Sequence, residues 1–286
     1  MDKRRQQKII GMVMAFMLAL TVLSLGLLLT LNFSVFHEAF LLRTMESSNY
    51  YAIAHRNIEE TIGYRATPFD IPEEVLTGLV EEESVREDAR RYVVNNLRSL
   101  EYTLDHTEME ERIDQRVRNY LDQENMVVEE AQEEAIDEFT SLAVHEYRIR
   151  TEMPFIGALG SAVKVFNRLF PILLAGILTM GIFFGVFLMK LLSHRRFLAY
   201  LGHGFSGGGL LLMALPLILY VIKPYERLNM APESFYHFVM ELISSTLGLA
   251  LLIGGGMIIL ALVFYILDWR NRNQMRIAAE KRATQF

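Results

Sequence analysis

Residues 169–192 read LFPILLAGILTMGIFFGVFLMKLL, with no charge before Lys190. A stretch of this length and character exceeds the roughly 20 apolar residues that cross a bilayer as a helix. Three further runs share its character, at 9–31, 205–222 and 242–267, and the third reaches spanning length when it starts at Gly204. The gaps between them are unequal. Residues 32–168 separate the first two runs, whereas only 193–204 and 223–241 separate the others. The pattern predicts an all-α integral membrane protein: four transmembrane helices with a large helical extracytoplasmic domain between helices 1 and 2.

Charge distribution sets the expected orientation. The chain is 52% hydrophobic and 22% charged, with a formal net charge of −6. Within 32–168 acidic residues outnumber basic ones two to one, so the remainder is net positive. Its basic residues gather at span ends: Lys3, Arg4, Arg5 and Lys8 before the first, Lys190, Arg195 and Arg196 after the second, and Arg270, Arg272, Arg276, Lys281 and Arg282 after the fourth. The 223–241 loop holds only Lys223 and Arg227. Basic flanks stay on the cytoplasmic side. Residues 1–8, 193–204 and 268–286 are then expected inside, and 32–168 and 223–241 outside, in a multi-pass plasma-membrane protein with both termini cytoplasmic.

The first run is too long for the apolar region of a cleaved secretory signal, and no small-x-small cleavage site follows it, which predicts an uncleaved signal-anchor. Cysteine is absent. The outer domain is then expected to hold together by packing alone, in keeping with a prokaryotic cell envelope.

Residues 32–168 read as a bundle of three to five helices. Residues 32–62 leave two readings open, a rigid helical extension of the first span or loose chain, and 63–72, with Pro68 and Pro72, is the clearest break. Val75, Leu76, Leu79 and Val80 share one helical face after Pro72. Ser84–Glu87 and Thr107–Glu110 have capping-box spacing. The first opens a face of Val85, Ala89, Tyr92, Val93, Leu97 and Leu100; the second opens one long helix running through Met109, Ile113, Val117 and Tyr120 to Ala135, Phe139 and Leu142. Residues 153–160 are apolar and too short to span, suiting an interfacial position before span 2.

Small residues recur four apart inside the spans: Gly11, Ala15 and Ala19; Gly181 and Gly185; Ser244 and Gly248; Ala250 and Gly254. Such stripes bring helix backbones close where lipid removes the usual hydrophobic drive, so these residues are the expected packing sites. Residues 202–209 and 254–256 are glycine-rich points of expected flexibility, and Pro216 is expected to kink span 3.

Catalytic signatures are missing. No Asp, Glu, Lys, Arg or His lies centrally in any span, which argues against an ion-coupled carrier. His55 with Glu59, and His237 with Glu241, have i,i+4 spacing, but two ligands do not make a metal site. Phosphate-binding loops, nucleophile elbows and calcium loops are absent. Glu81, Glu82 and Arg86 resemble the short acidic signature of intramembrane prenyl-end proteases, yet they stand in the charged gap and no second motif accompanies them.

The expectation is therefore a non-enzymatic cell-envelope protein without catalytic residues, cofactor or metal. Its partners are the lipid bilayer and another protein or a second copy of itself, with no nucleic acid. It would act as a sensor or scaffold through its outer helical domain. The arrangement is also similar to that of ABC permeases that transmit mechanical force to envelope enzymes. That resemblance implies a cytoplasmic ATPase docking near His194, Arg195 and Arg196.

Overall fold

The computed structural model describes the backbone of residues 3–98, 102–124, 130–153, 155–191, 194–227 and 230–283. All regular structure among these residues is helical, and four helices are long and apolar enough to cross a membrane. The chain forms two compact units.

The apolar unit contains α1 (Lys3–Phe33), α8 (Ile156–Leu191) from Asn167 onward, α9 (His194–Ile222) and α10 (Glu233–Ala283) from Ile243 onward. Its centre is Leu18 and Val22 of α1, Leu188 of α8, Leu212 of α9 and Met257 of α10. Outward faces are apolar as well. Ile182, Val221 and Leu252 are 67%, 73% and 71% exposed, an arrangement that fits hydrocarbon rather than water. Several hydroxyls inside the unit bond back to their own helices, as Thr179 does to the Ala175 carbonyl at 2.8 Å and Thr30 to that of Gly26 at 2.8 Å.

Two loops foreseen around span 3 are shorter than expected. Residues 194–204 form the first turns of α9, which runs unbroken through Gly202–Gly209 and Pro216. The glycines there are contact points. A Cβ on Gly208 would stand 2.8 Å from the Ala19 carbonyl oxygen of α1, and one on Gly209 would stand 2.8 Å from that of Gly254 on α10. The backbone of α9 thus touches both neighbours, a closeness only glycine permits.

The second unit contains α2 (Glu38–Ser47), α3 (Tyr50–Ala66), α4 (Glu73–Leu76), α5 (Glu82–Arg98), α6 (Thr107–Gln123), α7 (Glu130–Thr151), the start of α8 to Phe166 and the first turns of α10 to Leu242. Helix α3 lies at its centre, against α2, α4, α5 and α7. It buries Tyr50, Ala54, Ile58, Ile62 and Ala66, one residue per turn along a single ridge. Val85, Ala89, Val93 and Leu97 of α5 and Met109, Ile113 and Val117 of α6 are buried as their periodicity predicts.

Several expectations are corrected. Helix α1 ends at Phe33 and the chain turns before α2, with a second break at Asn49 in the left-handed region, so 34–62 does not extend span 1. Helix α3 passes through Gly63, and the break comes at Pro68–Pro72. The long helix expected from 107 is two helices, α6 and α7. Phe139 is buried as expected, but the rest of the face shifts: Ile136, Ala143 and Tyr147 are buried with it, while Ala135 and Leu142 are only half-buried. Neither capping box caps: Ser84 is already inside α5, and Asp105 Oδ1 accepts from the Thr107 N–H at 3.1 Å. Residues 156–160 are the opening of α8, and Leu100 lies outside the described residues.

The segment before span 4 belongs to this second unit. Phe238 is 1% exposed, its ring 6.3 Å from that of Tyr50, and Phe155 meets Phe235 at 4.9 Å. The two segments read as sharing one side of the membrane therefore fold together.

Candidate functional site: a polar cavity in the second unit

A cavity of about 280 Å³ opens among α5, α6 and α7. Its floor is Tyr147, which α7 delivers because residue 147 continues the buried Ile136–Ala143 face. A buried phenol needs a partner for its hydroxyl. Tyr147 Oη donates to Asp88 Oδ2 at 2.7 Å, and burial, then this bond and the Asp88 charge, push its pKa well above the usual tyrosine range.

Arg91, one turn along α5 from Asp88, and Arg112 of α6 line the same cavity. Neither guanidinium is taken up by an ion pair among the described residues, and both bear on the Tyr147 hydroxyl electrostatically. His106, at the head of α6, completes the wall. Its Nε2 lies 3.2 Å from Glu152 Oε1, and Glu152 also accepts from the Leu104 N–H and Arg148 Nε. His106 Nδ1 is buried and lacks a hydrogen-bond partner among the described residues. The cavity therefore joins two cationic groups that form no ion pair among the described residues with acceptors at Asp88 and Glu87, and His106 completes its lining.

Behind this wall the unit is locked by Glu146. It accepts from Arg150 Nη1 at 2.5 Å and from Arg65 Nη2 at 3.1 Å. Burial alone would raise its carboxyl pKa, but the bonds and charges of Arg150 and Arg65 hold it below the ordinary value.

The other foreseen residues take structural places. His55 Nε2 donates to the Val80 carbonyl at 2.9 Å, tying α3 to the turn after α4, and stands 3.7 Å from Glu59. His237 lies beside Glu233 at 3.9 Å. Arg86 bonds Glu46 and Glu82, which accounts for the acidic signature as an ion-pair network. Among the described residues, no group of three or more His, Asp or Glu side chains is arranged for a metal.

The expected packing residues divide. Gly11 lies against the Tyr200 ring, Ala15, Ala19 and Ala250 are buried, Gly181 faces Thr21, and Gly254 touches Met213 and the Gly209 carbonyl. Gly185 and Gly248 face open space, and Ser244 is half-buried. Gly204, Gly207, Gly208 and Gly209 of α9 carry closer contacts than several of these, and their clustering was the signal for it. His194 begins α9; its side chain and those of Arg195 and Arg196 lie outside the described residues. Asp88, Arg91, Arg112 and Tyr147 have no motif in sequence; the one hint is a tyrosine on an apolar helix face. Comparison of the chain with protein families, curated proteins and solved structures found no match.

Proposed function

We propose that this chain is a membrane-anchored sensor or scaffold whose second unit lies on the extracytoplasmic side and binds a small zwitterionic or anionic solute. The observation that carries this reading is the cavity holding Arg91, Arg112, Asp88 and His106. Paired guanidiniums suit a carboxylate. Asp88 and Glu87 on the same lining suit an ammonium group. At about 280 Å³ the space is at the small end of solute-binding pockets, the scale of an amino acid.

Basic span flanks support the orientation. Helices α8 and α10 each begin in the second unit and continue as helix into the apolar unit. Those two helices are the direct covalent route by which occupancy of the cavity would be felt in the membrane.

The test is thermal unfolding of the full-length protein in nanodiscs against a panel of amino acids, dicarboxylates and diamines. Amino acids or dicarboxylates should raise the melting temperature and diamines should not, and Arg91→Gln with Arg112→Gln should abolish the rise. Stabilisation by no class, or stabilisation that survives both substitutions, would overturn the reading. Stoichiometric copurification of an ATPase would instead favour the permease-like role.

A further inference from the structure

Helices α6 and α7 pack together in the second unit and leave a groove of about 640 Å³ between them. Its lining is acidic. Glu110, Glu111 and Asp114 come from α6 and Asp137 from α7, against one base, Arg118. Arg118 is engaged within the fold. Its Nε donates to both Asp114 oxygens at 2.9 Å, and its Nη1 lies 2.8 Å from Glu133 Oε1. That pairing takes Asp114 with it. Glu110, Glu111 and Asp137 remain, and no side chain among the three has an ion pair or hydrogen bond among the described residues.

Solvent accounts for exposed carboxylates, but not for Thr140. This residue of α7 lines the same groove and is only 5% exposed, and its hydroxyl has no hydrogen-bond partner among the described residues. A helical threonine ordinarily satisfies that group on the carbonyl four residues back. Thr61 and Thr151 do so in this unit, at 2.7 Å and 2.9 Å. Thr140 forgoes the bond to the Ile136 carbonyl, and leaving a buried hydroxyl unpaired costs stability. A donor bound in the groove removes that cost.

The acceptors define the occupant. Carboxylates and a hydroxyl oxygen call for a cation that carries N–H donors. A compact ion such as magnesium needs oxygens converging on it at about 2.1 Å, and among the described residues no three acidic or histidine side chains are arranged that way. The charge is instead spread along the groove, whose lining on α6 runs from Thr107 to Arg118, about 16 Å of helix. A flexible chain bearing several ammonium groups can meet all three free carboxylates at once. We infer that the α6–α7 groove binds an extended aliphatic triamine of the spermidine type, its ammonium groups on Glu110, Glu111 and Asp137 and one N–H on Thr140 Oγ1.

Isothermal titration of the full-length protein with spermidine tests this, in nanodiscs of phosphatidylcholine, a lipid without net charge. One equivalent should bind per chain. A diamine, which meets only two of the carboxylates, should give no saturable binding over the range in which spermidine saturates. Glu110→Gln with Asp137→Asn should weaken spermidine about twentyfold, at up to about fivefold for each exposed ion pair. Thr140→Val should weaken it about threefold and raise the melting temperature of the ligand-free protein, because it removes an unsatisfied hydroxyl. Glu130→Gln with Glu138→Gln, exposed acids of α7 that do not line the groove, should change nothing. Absence of saturable spermidine binding would overturn the inference. So would equal weakening by the Glu130 and Glu138 pair, displacement of spermidine by equimolar magnesium, or a lower melting temperature in ligand-free Thr140→Val.

Discussion

The two units solve the same packing problem with opposite materials. In the apolar unit backbones approach through glycine and alanine, and large side chains such as Ile182 and Leu252 point outward. In the second unit large side chains such as Phe139, Tyr147 and Ile113 point inward, and charged residues cover the outside. Water drives the second arrangement because burying apolar area is favourable there. Hydrocarbon gives no such drive, so close contact between backbones has to supply the cohesion. A substitution should accordingly hurt one unit by adding volume and the other by removing it.

The largest expected effect is in the second unit. Phe139 is fully buried and packs on Phe69 at 5.6 Å, so Phe139→Ala should cost about 4 kcal/mol. Hydrogen exchange should quicken across α3 and α7 and stay unchanged in α9; an effect spread evenly over both units would break the contrast. Glu146→Gln should follow at about 3 kcal/mol, because it removes a buried carboxylate and leaves the partly buried Arg150 without its counter-charge. The depressed Glu146 pKa fixes the sign of the acid dependence. Its stabilisation is complete above the ordinary carboxylate range and is lost as pH falls through the lower native value. Glu146→Gln should therefore flatten the acid limb of unfolding, and an unchanged limb would remove Glu146 from the account.

In the apolar unit Gly209→Leu should cost about 2 kcal/mol by forcing α9 from α10, whereas Gly248→Leu, facing open space, should cost almost nothing. Similar melting temperatures for the two variants would contradict the close-approach account. A smaller signature comes from tyrosine. Burial pushes Tyr51 up to about 12, and Tyr50 and Tyr147 rise further, Tyr147 aided by its bond to Asp88. The stability these groups contribute is present in full below the usual tyrosine range near 10 and fades as pH climbs toward the raised native values. Phenolate absorbance should show these tyrosines silent until the second unit unfolds. Least of all, Arg98→Gln, which breaks an exposed pair with Glu38, should leave the melting temperature within error.

The same contrast explains how far the sequence could be read. Uninterrupted hydrophobic runs are long-range signals, so four membrane-length helices were legible, as were the faces of α5 and α6, whose apolar residues recur every three to four positions. Boundaries were less so. Ser84 and Thr107 have capping spacing, but tertiary contacts start α5 earlier and hand the α6 terminus to Asp105. His203 was placed in a loop because the apolar run begins only at 204–205; the helix starts earlier, at His194, and the glycines expected to be flexible points are its contacts with neighbouring backbones. The cavity was not legible at all. Asp88, His106 and Tyr147 come from three helices, and no local pattern records which helices meet.

Absence of cysteine gives the most direct test of the membrane arrangement. Single cysteines at Glu111 and His237 in the second unit, and at Asn273 near the end of α10, can be probed in intact cells with a membrane-impermeant maleimide. The account predicts labelling of Glu111→Cys and His237→Cys from outside, with Asn273→Cys labelled only after permeabilisation. Protection of the first two with labelling of the third would place the second unit in the cytoplasm and contradict it.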